Sequence, residues 1–358
     1  MRITVEVEGH APVVVNVDAS APQPAIAEST PSFNWHPANA SRDGVLFPIL
    51  HHDIWDLRNK VEGSHWTAKE ISMTQDAGHW AKMDPSWRLA VKYQLAFFAT
   101  IDGDVLDNID RHFIEEINCL EAKCFYASQA EQECVHMESY AVQIATLFDG
   151  AEREQTFRAV RTMPSVGRMR DWVVKWSASS RPIAERLVAF AAIEGVLFCA
   201  SFCVLQWLRE HNLLPGITGY NEFISRDEWT HTQFSCLLVR QYATNPPPAT
   251  VAHEIMESIV DVIDGFVADA LPGEGLPGLT APEMNRYVRF QADSVLGLMG
   301  YPPVWQAINP FEFMDKLALN HGSKTNFFER KGTQYQSVQS AGQAEFALAP
   351  PADEDSEY

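Results

Sequence analysis

Two Glu-x-x-His pairs carry the most specific chemistry in the sequence: Glu133-Cys134-Val135-His136 and Glu228-Trp229-Thr230-His231. On a helix, residues three apart share a face with Cβ atoms about 5–6 Å apart, so each pair can aim a carboxylate and an imidazole at one point. Two further carboxylates sit in strongly apolar surroundings. Asp102 follows Phe97-Phe98-Ala99-Thr100-Ile101, and Glu194 lies within the run Val188 to Leu205. A helix that apolar must be buried on nearly every side. An unpaired charge there costs on the order of several kcal/mol, so Glu194 must be protonated, ion-paired or bound to a metal. Two dications would balance four carboxylates, and oxygen ligands with one imidazole per metal suit iron and manganese, whereas structural zinc sites favour thiolates. A single Glu-x-x-His is ordinarily a surface pair; two of them flanked by apolar residues, with Asp102 and Glu194, favour metal. His52, His79 and His253 lack such partners and read as ordinary histidines.

Tyr140 lies four residues after His136, on the same face of the same predicted helix. A core tyrosine hydrogen-bonded to a carboxylate is the plain reading. Phe198 and Phe202 follow Glu194 by one and two turns, and Ile224 precedes Glu228 by one turn. Such side chains could form a dry pocket in which an oxidised tyrosine would persist.

The elements that must position these residues read as long helices. No proline occurs between Trp87 and Met163, and apolar-periodic runs dominate from Pro85 to Leu319. Asp84-Pro85 is a helix start, with the helix running towards Asp102-Gly103. A second helix covers roughly Phe113 to Leu147 and stops at Asp149-Gly150. The central helix runs from Ser180-Arg181-Pro182 to a stop before Leu214-Pro215-Gly216, and the next from Glu222 to Tyr242. Two more run from about Ala252 to Leu271 and from Pro282 to Met299, the latter opened by a capping box at Thr280 and Glu283. Carboxylates from four helices with two Glu-x-x-His motifs are the ligand set of ferritin-like bundles that hold two iron or manganese ions. The fold class expected is therefore all-α, a ferritin-like helical bundle with a dinuclear metal site in its core.

This domain is expected over residues 46–322. Residues 1–45 alternate β-branched residues and acids and then turn rich in Pro, Ala and Ser, which reads as a small hairpin and a loose arm. Residues 323–358 read as a flexible acidic tail that carries Tyr335, Phe346 and Tyr358. The formal net charge of -20 argues against non-specific nucleic-acid binding. The six cysteines show no metal-type spacing and read as reduced thiols of a cytoplasmic protein. No signal-peptide pattern is read in Met1-Arg2-Ile3-Thr4-Val5-Glu6. The run from Val188 to Leu208 is long enough to cross a bilayer, but Glu194 near its centre and the lack of a second span argue against a membrane.

These residues resemble the small, radical-generating subunit of class I ribonucleotide reductase, and most closely its eukaryotic-like class Ia branch. The matching phrases are His52-Asp53-Ile54-Trp55, Phe97-Phe98-Ala99 with Asp102-Gly103, Glu121-Ala122-Lys123-Cys124-Phe125-Tyr126, and Glu133-x-x-His136-x-x-x-Tyr140. They continue in Val188 to Gly195, in Asn221 to His231, and in Lys324-Thr325-Asn326-Phe327-Phe328-Glu329. The resemblance covers about residues 46 to 336. It implies that Asp102, Glu133 and His136 bind one metal and Glu194, Glu228 and His231 the other, with at least one carboxylate bridging. It implies two iron ions per chain, manganese being possible, and a stable radical on Tyr140 within a shell of Phe198, Phe202 and Ile224. Trp55, joined to His136 through Asp227, would start a radical path that Tyr335 passes to the large subunit, the partner on which the C-terminus docks. A homodimer is also implied. Two rivals use the same ligands: a diiron oxidase acting on its own organic substrate, and a non-catalytic iron-storage bundle. The first would have no need for Trp55 with Asp227, nor for Tyr335 in an acidic tail; storage bundles carry little beyond the bundle itself and are usually much shorter than this chain.

Overall fold

Helix boundaries follow from local chemistry wherever a cap is present. The Asp84 carboxylate accepts from Ser86 N at 2.8 Å with Pro85 in the first turn, and Thr280 with Glu283 closes a reciprocal capping box. The structure, a computed structural model, describes residues 32–315 apart from Pro272, together with the backbone of residues 2–5 and 13–16. Tyr335, Phe346, Tyr358 and the expected tail domain lie outside the described residues.

Two units are distinguished, Met1–Ser32 and Phe33–Tyr358. In the first, β1 (Arg2–Val5) pairs antiparallel with β2 (Val13–Asn16), Ile3 opposite Val15. Among its described residues the second is helical, with two isolated β-bridges. In chain order it contains α1 (His52–Gly63), α2 (Asp76–Lys82), α3 (Pro85–Asn108), α4 (Ile114–Glu116), α5 (Leu120–Leu147), α6 (Gly150–Phe157), α7 (Ala159–Thr162) and α8 (Pro164–Ser177). It continues with α9 (Ile183–Ala192), α10 (Cys199–Glu210), α11 (Pro215–Leu237), α12 (Ala249–Ala270) and α13 (Ala281–Met299). Helix α5 packs against α3 and α1, α9 against α11, and α12 against α8 and α13. Their apolar faces merge into one core. The apolar run Ile183–Glu210 has the length and hydropathy of a membrane span, but its most apolar window is wholly buried inside this bundle.

Four boundaries differ from the sequence reading. Helix α3 does not stop at Asp102-Gly103 but continues to Asn108, which leaves Asp102 in mid-helix. Helix α5 starts at Leu120 because Ile117 and Cys119 are extended. The central helix is not continuous: a π-helical turn at Ile193–Leu197 separates α9 from α10. Helix α11 begins at Pro215, not at Glu222, so Leu214-Pro215-Gly216, which follows the end of α10 at Glu210, also opens the next helix.

The packed domain also begins upstream of residue 46. Phe33 bridges to Ala243, and Asn34 N donates to Tyr242 O at 2.7 Å. Arg42 pairs with the buried Glu121 at 2.6 Å. His51, Cys119 and Glu121 form a small buried group of potential ligands. Both Glu121 oxygens are already engaged, one by Arg42 and the other by Leu50 N at 2.8 Å. The group therefore fastens the segment before α1 to the start of α5.

Candidate metal centre

The six residues singled out by spacing converge at the middle of the bundle. Asp102 comes from α3, Glu133 and His136 from α5, Glu194 from the π turn, and Glu228 and His231 from α11; all are buried. A π turn inserts one extra residue per turn, a local device frequent at functional sites. Here it coincides with Glu194. Gly195 explains how the neighbours come so near: a Cβ there would lie 2.7 Å from Val295 Cγ2 and 2.8 Å from Thr232 Cγ2.

Two overlapping ligand groups result, Asp102 with Glu133 and His136, and Glu133 with Glu194, Glu228 and His231. Glu133 belongs to both. His136 Nδ1 lies 3.3 Å from Glu133 Oε2 and 2.9 Å from Glu228 Oε1. His231 Nδ1 lies 3.1 Å from Glu133 Oε1 and 3.0 Å from Glu228 Oε2. Both glutamates thus face both imidazoles.

Charge is arranged accordingly. Burial, reinforced by neighbouring carboxylates, pushes the Asp102 and Glu194 carboxyls well above their usual range. Burial opposes charge on His136, yet Glu228, Asp227 and Glu133 outweigh it and raise the imidazole well above its ordinary value. Burial likewise opposes charge on His231, but Glu133 and Glu228 lift it to about 9. Without metal, protons stand in for cations. Asp102 Oδ2 and Glu194 Oε2 remain buried without hydrogen-bond partners. Buried polar atoms are rarely left so, and orphaned carboxylate oxygens beside two Nδ1 atoms fit a pair of oxygen-loving cations. Gln129 Nε2 steadies Glu194 Oε1 at 3.0 Å.

Tyr140 is buried one turn beyond His136, and burial, followed by Asp102, Glu228 and Glu133, raises its hydroxyl pKa well above the usual value. Its ring stacks on Phe98, with centroids 4.6 Å apart and planes 5° apart. Phe198 and Phe202 pack on the same Phe98 ring at 5.7 and 5.1 Å, and Ile224 is buried on α11. Phe98 is thus the immediate neighbour that the spacing argument had missed, although it sits one turn before Asp102.

The tryptophan assignment needs correction. Asp227 Oδ2 lies 3.4 Å from His136 Nε2, as expected, but it accepts from Trp66 Nε1 at 2.7 Å, not from Trp55. Helix α1 buries Ile54, Leu57 and Val61, which turns Trp55 away to a half-exposed position under Arg58. Trp66 is buried, and its ring stacks towards His136 at 6.2 Å. A sequence signal was available. Trp66 immediately precedes Thr67-Ala68-Lys69-Glu70, a capping box that fixes the turn.

A helical bundle with four carboxylates and two imidazoles converging on two overlapping sites defines a ferritin-like dinuclear metal protein. A match to the family described as "Ribonucleotide reductase, small chain" spans residues 44–310. The chain is 41% identical over 295 residues to the ribonucleoside-diphosphate reductase small chain of Trypanosoma brucei brucei, covering 82% of this chain and 87% of that one. It is 40% identical over 296 residues to ribonucleoside-diphosphate reductase subunit M2 of Danio rerio, covering 82% and 76%. Among solved structures it is similar to the ribonucleotide reductase Rnr4 homodimer from Saccharomyces cerevisiae, with a TM-score of 0.71, 29% identity, and 79% of this chain and 91% of that chain covered. The chain belongs to the ribonucleotide reductase small-chain family. It is the small subunit of a ribonucleoside-diphosphate reductase, an oxidoreductase subunit that generates the radical used by the large subunit. The reading as an oxidase with its own organic substrate is not favoured.

Proposed function

We propose that Asp102, Glu133, His136, Glu194, Glu228 and His231 would hold two iron ions, and that Tyr140 carries the stable radical. One observation carries this reading: each of the two glutamates, Glu133 and Glu228, lies within 3.3 Å of both imidazole Nδ1 atoms while Asp102 Oδ2 and Glu194 Oε2 are buried without a hydrogen-bond partner. The ligand set accepts manganese as well. When bound and reduced, the metal pair supplies the O2-derived oxidising equivalent. The chain's own residues do the rest. Tyr140 would give up an electron to that oxidant and its phenolic proton to the carboxylates of the centre, of which Asp102 acts on it most strongly. The stacked Phe98 ring, with Phe198 and Phe202 packed on it, keeps water from the oxidised ring, and the buried Ile224 would complete this shell. Asp227 holds His136 and Trp66 on one carboxylate and so gives the oxidising equivalent a hydrogen-bonded way out, an electron passing inward as it leaves. Burial would raise the Asp227 pKa, but Arg226, His136 and Trp66 lower it, which keeps the acceptor ionised. The relay to the large subunit would continue through Tyr335. The chain is expected to act as a homodimer in the cytoplasm, where its cysteines, free in the structure, stay reduced.

The test is electron paramagnetic resonance on protein loaded anaerobically with Fe(II) and then given O2, with metals counted on the same sample. A tyrosyl signal with about two irons per chain, lost in Tyr140→Phe at unchanged metal content, is expected. A tyrosyl signal that survives in Tyr140→Phe would overturn the assignment. Loading with Mn(II) in parallel decides which metal supports the radical.

A further inference from the structure

Each imidazole of the centre presents Nδ1 to the shared glutamates and Nε2 to a residue behind it, and the two residues behind differ in kind. His136 Nε2 faces the Asp227 carboxylate at 3.4 Å, which itself receives Trp66 and Arg226. His231 Nε2 faces Gln132 Oε1 at 2.9 Å. Gln132 is buried at 2% exposure, and its amide nitrogen has no hydrogen-bond partner among the described residues. It directly precedes Glu133 on α5, so about 100° of helix rotation sends one side chain between the imidazoles and the next behind one of them. A carboxamide oxygen accepts the Nε2 proton but cannot hold it as a carboxylate can.

Building on the metal-centre reading above, we propose that Gln132 is the positioning residue of His231. It fixes the Nε2–H tautomer, keeps the Nδ1 lone pair aimed at the metal of that half, and gives that side no ionised, connected acceptor of the kind that Asp227 provides on the other. The two halves are therefore backed unequally: an ionised, connected acceptor behind His136 and a neutral, isolated one behind His231. Partners of this kind orient the imidazole and typically change metal affinity by about 10–100-fold when removed.

The experiment is an anaerobic Mn(II) titration of the full chain, with free Mn(II) read by electron paramagnetic resonance, on wild type, Q132M and Q132E. Methionine keeps the length and removes the acceptor; glutamate keeps an acceptor oxygen. Wild type is expected to take two ions per chain. Q132M should keep one with unchanged affinity and bind the other about 10–100-fold more weakly, whereas Q132E should hold the second within a few-fold of wild type. A general packing role would not spare one ion, nor be rescued by Q132E. Two ions bound by Q132M as tightly as by wild type would overturn the proposal, as would equal weakening of both ions or failure of Q132E to rescue. Should Q132M not fold by circular dichroism, Q132N, which keeps the amide but draws it out of reach, takes its place with the same outcomes. Wild type that binds no ions would sink the metal-centre reading itself, a result distinct from any of these.

Discussion

At the scale of single residues, the centre was legible because its chemistry demands rare residue types at fixed spacings. A carboxylate and an imidazole three apart, twice, in apolar helices leave few alternatives, and the structure brings Glu133, His136, Glu228 and His231 together within 3.3 Å contacts. What spacing could not show is contact across the chain. Trp66 reaches Asp227 over a separation of 161 residues, and no local periodicity distinguishes it from Trp55. Helical phase does, but only once the buried face of α1 is known. The consequence is measurable. Trp66→Phe removes the Nε1–H that Asp227 accepts and should leave the Tyr140 radical in place while abolishing nucleotide reduction with the large subunit. Trp55→Phe should retain both. Full turnover by Trp66→Phe would remove this residue from the exit path.

At the scale of elements, the start of α11 shows why local rules misplaced a boundary. Leu214 is left-handed and offers no side-chain cap, so Pro215-Gly216 looks like a stop. The first amides of α11 are instead satisfied from α2, where Asp76 accepts from Gly216 N at 2.9 Å and Ile217 N at 3.0 Å. Glycine is required there because a Cβ on Gly216 would lie 2.8 Å from both Asp76 Oδ2 and Ser72 O. Asp76→Ala strands two buried donors, at about 1–3 kcal/mol each, and urea denaturation should register a loss of at least the lower figure. A shift below about 0.5 kcal/mol would mean that water replaces the carboxylate.

The segment before α1 is a second such element. Burial alone would raise the Glu121 pKa, but Arg42 and Leu50 N bring it down to about 2. Removing one partner of a buried pair costs about 3–5 kcal/mol, so Arg42→Ala should be strongly destabilised at neutral pH. Because the folded pKa is depressed, this contribution is complete above the ordinary carboxylate value of 4.5 and is lost as pH falls towards about 2. The stability gap between wild type and Arg42→Ala should therefore narrow across that window. A gap that widens on acidification would show that another group dominates.

At the scale of the whole molecule, the centre is also a cross-link. Its ligands come from α3, α5, the π turn and α11, elements that meet only in the folded bundle. The unfolded chain holds no such site, so metal affinity adds directly to folding stability. Raised pKa values favour neutral carboxyls at Asp102 and Glu194 and cationic imidazoles at His136 and His231, which lessens carboxylate repulsion within the bundle. Protons cannot join helices as a bridging ion does. Ions present at 100 times their dissociation constant should therefore add about 2.7 kcal/mol per independent site. Thermal melts of one preparation, loaded with Mn(II) and then stripped by chelator, should differ by several degrees in that direction. Equal melting temperatures would mean that the ions bind the unfolded chain as well as the native one, or do not bind, and either outcome contradicts ligands drawn from four buried elements.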